Sequence, residues 1–139
     1  MRRILHVLDH SLPMHSGYAV RTRAILKAQI AMGWQVAGVT GARLHLLMCD
    51  KRHDHSALLS LLSSQLHDDG YDNVTHEEAW RDNLHDTIIY VQQAEGCELV
   101  IKEHRPDNPL KKALLTPSDW KLLRQCPCAV LMVKSERPW

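Results

Sequence analysis

The order of apolar runs and amphipathic stretches along the chain predicts strands and helices in alternation. Short apolar runs, typical of buried strands, lie at 3–9, 42–49, 98–101 and 129–133. Apolar positions at helical spacing predict helices over 19–32, 54–69, 81–95 and 116–126. The more polar stretch 71–79 is typical of an edge strand. This alternation predicts an α/β fold, a doubly wound and mainly parallel sheet of five strands joined by right-handed crossovers.

A further apolar segment does not fit this simple alternation. Residues 34–40 follow Gly33, which is a natural stop for the helix before it. They predict a strand, and only Gly41 separates them from the strand over 42–49. The sheet therefore has room for one extra strand near residues 34–48. Three placements stay open: a hairpin with 42–49, one long continuous strand, or pairing with a second copy of the chain.

The last third of the chain carries the clearest local signals. Thr116 is placed to cap a helix, Pro117 stands where a missing donor costs nothing, and Asp119 favours the positive end of the helix dipole. We expect this helix to direct Trp120, Leu122 and Leu123 toward a core. The run 129–133 is apolar at every position, which predicts a strand in the middle of a parallel sheet.

The helix followed by CPCAVLMVK resembles the end of a universal stress protein domain, and TPSDWKLLRQCP is similar to the tandem-type bacterial members. The resemblance covers about residues 42–134. It implies the same doubly wound fold and a homodimer that forms through the final strands.

The first segment resembles a different family. RILHVLDHSLPMHSGYAVRTRAILKAQIAMGWQVAGVTG, residues 3–41, is similar to the opening of the acceptor-side domain of a family 4 glycosyltransferase. We therefore interpret residues 1–139 as a single α/β domain built from two segments, 1–41 and 42–139, joined as a natural or engineered chimera. One divergent family is the alternative. The domain that holds the sugar nucleotide in those enzymes has no counterpart here, which predicts an inactive relic.

The phosphate loop implied by the stress-protein resemblance is altered. Many of those domains bind ATP through the spacing Gly-x2-Gly-x9-Gly-Ser/Thr, whose glycines let backbone N–H groups approach phosphates. The corresponding positions here hold Glu103, Pro106, Thr116 and Pro117. The Glu103 carboxylate would repel phosphate, Pro106 lacks an N–H donor, and Thr116 adds bulk, so we expect no tight ATP binding. Asp9 nevertheless matches the aspartate that lies near the adenosine in nucleotide-binding members. We expect no bound cofactor.

Ligands of doubly wound sheets bind beyond the carboxyl ends of the strands, at the topological switch point. We expect this crevice to be lined by Asp9, His10, Ser16, Gly17, Glu103, His104 and Arg105. The histidines that neighbour aspartates, at 53, 55, 67 and 85, lack the spacing of known zinc sites, and Gly-x-Ser-x-Gly is missing. The sequence thus predicts neither a metal site nor enzyme activity.

The composition argues against nucleic acid and membranes as partners of this chain. Of 139 residues, 45% are hydrophobic and 24% charged, and the net charge of +1 offers no basic field for nucleic acid. No apolar run approaches the ~18 residues of a membrane span, and no signal peptide is expected. Four cysteines predict reduced thiols in the cytoplasm.

We therefore expect a non-enzymatic domain similar to universal stress proteins, which acts through self-association as a homodimer. The extra strand allows a segment-swapped form of that dimer. The alternatives are an ATP-binding stress-response protein and an inactive glycosyltransferase relic.

Overall fold

The computed structural model describes residues 2–8, 37, 41–49, 56–68, 70, 72–104 and 115–134. The strands are β1 (Arg3–Leu8), β2 (Arg43–Met48), β3 (Val74–Glu78), β4 (Leu99–His104) and β5 (Ala129–Lys134). The helices with described bounds are α1 (Ser56–Asp68), α2 (Leu84–Glu95) and α3 (Pro117–Gln125). None of these described helices is long and apolar enough to cross a membrane.

The strands form one parallel sheet in the order β3-β2-β1-β4-β5. The chain proceeds outward from β1 through β2 to β3, and then crosses to β4 on the other side of β1. The connections therefore diverge between β1 and β4, which makes the carboxyl ends of these two strands the topological switch point. The predicted doubly wound five-stranded fold is confirmed.

Side chains of the strands alternate between two cores, because successive residues of a strand point to opposite faces. One face packs against α1 and buries Ile4, Leu8, Leu44, Leu46, Met48, Leu59, Leu62 and Leu66. The other packs against α2 and α3 and buries Leu5, Val7, Leu47, Ile88, Val91, Val100 and Leu122. Both faces of β1 and β2 are therefore covered, as is usual for the inner strands of a parallel sheet.

The predicted strand over 34–40 is wrong at Ala37, the residue of that stretch which the structure describes. Ala37 is helical and buried. The Ala42 N–H donates to the Ala37 carbonyl at 3.2 Å, and Gly41 between them has a φ of +71°. A six-to-one hydrogen bond across a left-handed glycine is the Schellman stop of a helix. Gly41 therefore ends a helix, whereas the apolar pattern predicts that it separates two strands.

Two expectations about the last third also need correction. The strand β5 lies at the edge of the five-stranded sheet, where 40% of Leu131 is exposed. In α3 only Leu122 of the three expected core residues is buried, whereas Trp120 and Leu123 are exposed. The physical reason is helical spacing: the buried stripe of α3 contains Leu122 and Asp119, three residues apart, and the neighbouring positions face away.

Candidate functional site

Most of the predicted crevice lies outside the described residues. This holds for Asp9, His10, Ser16, Gly17 and Arg105. Glu103 and His104 are described in their backbone and form the last two residues of β4, in register with Val133 and Lys134 of β5. The charges and proline that begin at Glu103 predict a loop there. Glu103 belongs to a strand instead, because ladder hydrogen bonds to β5 extend β4 beyond its apolar run.

The described part of the switch-point edge is built around the first turn of α3. Thr116 is extended at φ −69° and ψ 159°, and its hydroxyl accepts from the Asp119 N–H at 3.1 Å. In return, the Asp119 carboxylate accepts from the Thr116 N–H at 3.2 Å through Oδ2. This reciprocal capping box, with Pro117 at the helix start, confirms the predicted beginning of α3.

A buried ion pair joins this helix start to the sheet. Lys102 Nζ, from β4, lies 2.7 Å from Asp119 Oδ1, and the side chains are only 13% and 1% exposed. The carboxylate therefore meets two positive neighbours, the lysine and the amino end of the α3 dipole. The anion that a helix N-terminus attracts is here a side chain of the chain itself.

A histidine connects α2 to the same turn. His85, buried near the start of α2, places Nδ1 3.3 Å from Ser118 Oγ. Its Nε2 lies 3.6 Å from Asp86 Oδ1, beyond hydrogen-bond range. Serine, histidine and aspartate are thus neighbours, but the aspartate does not orient the imidazole as a catalytic triad requires. The absence of enzyme activity stays a prediction.

The sequence pattern identifies Asp119 as a helix cap and does not predict its pairing with Lys102. The available signals were a lysine that interrupts a buried apolar strand and a capping aspartate on an otherwise apolar helix face. Each signal indicates a buried charge that needs a partner, but neither identifies that partner. Because Lys102 and Asp119 lie 17 residues apart in the chain, only the fold shows that they pair.

Comparison with known proteins assigns the family. The sequence model of the universal stress protein family matches residues 2–134. A universal stress protein structure from Pseudomonas aeruginosa UCBPP-PA14 superimposes with a TM-score of 0.76 and 51% identity, over 99% of this chain and 45% of that one. Universal stress protein E of Escherichia coli K12 is 38% identical over 60 residues, 43% of this chain and 19% of its own length. A universal stress protein in complex with cAMP shares the fold, with a TM-score of 0.64 and 11% identity over 97% of this chain and 98% of that one.

The family match runs across Gly41 and Ala42, where we expected a change of family. These comparisons give no support to a glycosyltransferase fusion. The chain spans less than half the length of the Pseudomonas protein that it resembles. With the five-stranded parallel sheet and a match over nearly the whole sequence, the chain belongs to the universal stress protein family.

Proposed function

We propose that this chain is a non-enzymatic universal stress domain that acts by association through the edge of β5, independently of ATP. One observation carries the proposal: β5 pairs with β4 and with no other described strand, so its outer edge is free of strand pairing within the described part of the chain. An open edge presents unpaired N–H and C=O groups, which are a template for pairing with another strand.

The side chains of this edge are also suited to a contact. From Ala129 to Val133 the strand carries no charge that would oppose pairing. Leu131, in the middle of this strand, is exposed. Large apolar side chains at an open edge favour burial by a partner.

A second copy of the chain is the occupant that we favour. Two β5 edges related by a two-fold axis would pair as antiparallel strands, which makes a closed, self-complementary interface. The homologous Pseudomonas chain is more than twice as long as the matched region, so a second domain of a longer protein is the alternative occupant.

The geometry of α3 argues against a nucleotide as the working ligand. Asp119 and Thr116 already cap the helix N-terminus at which a phosphate would bind. Glu103 and Pro106 stand where the family resemblance implies glycines. Since a protein of the same fold is in complex with cAMP, nucleotide binding remains the competing hypothesis.

The four free cysteines support the proposed cytoplasmic location.

Sedimentation equilibrium of the wild type and of Leu131→Lys tests the association. We expect a wild-type dimer and a monomeric variant, since a lysine on an edge strand opposes pairing. Leu61→Lys on α1 is the matched control, because Leu61 is 42% exposed and Leu131 is 40% exposed. A monomeric wild type, or equal dimerisation in both variants, would refute the proposed interface.

Calorimetric titration with ATP, cAMP and UDP tests the competing functions. We expect no binding heat with any of them. Micromolar binding of ATP or cAMP would replace the association hypothesis with a nucleotide-binding one. Binding of UDP would revive the glycosyltransferase relic for residues 3–41.

A further inference from the structure

A polar cluster lies on the α2 side of the sheet, away from the switch point. His45 in β2 is buried, and its Nε2 is 2.7 Å from Glu77 Oε1 of β3. Glu95, the last residue of α2, completes the group. One ligand atom from each of the three side chains lies within 4.8 Å of the others. Three separate elements therefore converge on one point with an imidazole and two carboxylates.

The position of the cluster separates it from the crevice. His45 is in register with Leu5 and Thr75, in the amino half of its strand. Glu95 ends α2 beside Arg3, the first residue of β1. The cluster thus lies toward the amino ends of the strands, opposite the edge at which Lys102 meets Asp119.

The second nitrogen of the imidazole is also held. His45 Nδ1 lies 2.5 Å from Thr75 Oγ1. A metal-binding histidine usually donates its other ring N–H to such an oxygen, which fixes the tautomer and turns the lone pair of the first nitrogen toward the metal. Without a metal, a proton on Nε2 satisfies the 2.7 Å contact to Glu77, and Nδ1 accepts from the Thr75 hydroxyl. A metal would replace the Nε2 proton: the imidazole would then carry its proton on Nδ1, donate it to Thr75 Oγ1 and turn the Nε2 lone pair toward the ion.

The donor set and its spacing suit zinc. Imidazole nitrogen and carboxylate oxygen bind Zn²⁺ at about 2.0–2.2 Å in a tetrahedron, so paired ligand atoms stand about 3.3 Å apart. Nε2 and Glu77 Oε1 must separate by about 0.6 Å to reach that spacing. Glu95 must approach. Both glutamate side chains are more than a third exposed and have room to rotate.

Arg3 does not hold the Glu95 carboxylate away. Its Nη1 donates to the Glu95 backbone carbonyl at 2.7 Å, whereas the nearest carboxylate contact is 3.9 Å, too long for a hydrogen bond. Glu95 can therefore turn toward a metal while Arg3 keeps its backbone partner. Two carboxylates, one guanidinium and Zn²⁺ together carry a charge of +1, which is a modest imbalance for a half-buried site.

We propose that His45, Glu77 and Glu95 form a site for a divalent transition metal, Zn²⁺ being the ion whose geometry they fit. Thr75 is the positioning residue for the imidazole. Three protein ligands leave a fourth tetrahedral position for water. The site is independent of the association proposed above, since no ligand comes from β5 or α3.

Equilibrium dialysis of the metal-free full chain against ZnCl2 tests the proposal. His53 and His55 are changed to Gln in every sample, so that this adventitious pair contributes nothing. We expect one equivalent of Zn²⁺ per chain, and binding at least ~100-fold weaker in Glu77→Gln and Glu95→Gln, since loss of a mere supporting residue already costs about 10–100-fold. Thr75→Val should weaken binding about 10–100-fold without removing a ligand.

The chain offers a matched control for each ligand. Glu78→Gln makes the same charge change at the next residue of β3. Glu98→Gln alters a carboxylate that also lies 3.9 Å from an arginine, Arg2. His67→Gln removes an exposed histidine paired with Asp72 at 2.6 Å, and it is the control for His45→Gln, which should bind zinc as weakly as the two glutamate variants. All three controls should bind zinc like the parent.

Cobalt identifies the donor atoms. We expect the d–d bands of tetrahedral Co²⁺ without thiolate-to-metal charge transfer, because the ligands are nitrogen and oxygen. A charge-transfer band would assign the ion to Cys126 and Cys128 and overturn the proposal. Undiminished zinc binding by Glu77→Gln and Glu95→Gln, or no binding by the parent, would overturn it as well. Circular dichroism of each metal-free variant is the check that it is folded; a folded variant that loses zinc binding supports the site.

Discussion

Lys102 Nζ lies 2.7 Å from Asp119 Oδ1, at the point where β4 faces the first turn of α3. The other oxygen of the same carboxylate accepts from the Thr116 N–H. One aspartate therefore neutralises a lysine in the core and closes a helix N-terminus. In this member of the family, the N-terminus of α3 is therefore occupied by a side chain that stabilises the fold, although a helix N-terminus could otherwise bind an anion.

Asp119→Asn should lower the free energy of unfolding by about 3–5 kcal/mol, because it removes the buried carboxylate charge that pairs with Lys102 Nζ at 2.7 Å. Urea denaturation measures this difference. Glu98→Gln is the control, since its pair with Arg2 is exposed on both sides and should contribute less than about 1 kcal/mol. An equally small loss for Asp119→Asn would contradict the role given to the buried pair.

His6 should make the protein less stable in acid. Burial lowers the pKa of His6 from 6.5 to about 4, because the desolvated imidazole disfavours its charged form. Between these values the unfolded chain binds a proton that the folded chain does not. The stability due to neutral His6 is therefore complete above about pH 6.5 and is lost as the pH falls toward 4, by about 3 kcal/mol in total.

Urea denaturation of wild type and His6→Leu at pH 7 and pH 4 measures this contribution. The variant should lose less stability than the wild type over that range, and exposed His67→Gln should behave like the wild type. Identical pH dependence in wild type and His6→Leu would refute the assignment.

Gly96 should be required by its backbone conformation alone. It ends α2 with a φ of +64°, and its N–H donates to the carbonyls of Gln92 and Gln93. A Cβ at this position would meet no atom within 4 Å. Gly96→Ala should therefore cost about 1 kcal/mol through left-handed strain and not through a clash. Gly96→Asn should cost less in thermal or urea denaturation, since asparagine tolerates this conformation; equal losses would argue against strain.

Cys128 should react slowly with alkylating reagents despite its partial exposure. All four cysteines are free thiols, as the sequence predicted. Burial raises the pKa of Cys128 to about 12, helped by a contact with the Cys126 thiol at 3.7 Å. Because the thiolate is the reactive form, iodoacetamide at pH 8 should modify Cys128 at least ~100-fold more slowly than in the urea-unfolded chain. Mass spectrometry of the labelled peptides decides this; equal rates in both states would contradict it.

The elements of this protein could be predicted because their signals are local. The apolar runs at β1 and β2, the Thr116–Asp119 cap and the left-handed Gly70 and Gly96 each lie within a few residues of the structure that they determine. Prediction failed where local signals competed. The pattern predicts a strand over 34–40 after Gly33, whereas Ala37 is helical. It also predicts Trp120 in the core, whereas the buried residues of α3 are Asp119 and Leu122.

The sequence by itself determined the fold class, because alternating strands and helices with unbroken apolar runs can bury their surfaces only as a covered parallel sheet. The polar stretch 71–79 indicated the edge strand β3, but the sequence did not show that β5 lies at the other edge, since β5 is as apolar as a central strand. Tertiary structure alone decided the meeting of Lys102 with Asp119 and of His45 with Glu77 and Glu95. These partners are far apart in the chain, and strand register and helix packing bring them together. Contacts of this kind produce no fixed short spacing that could be recognised as a sequence motif.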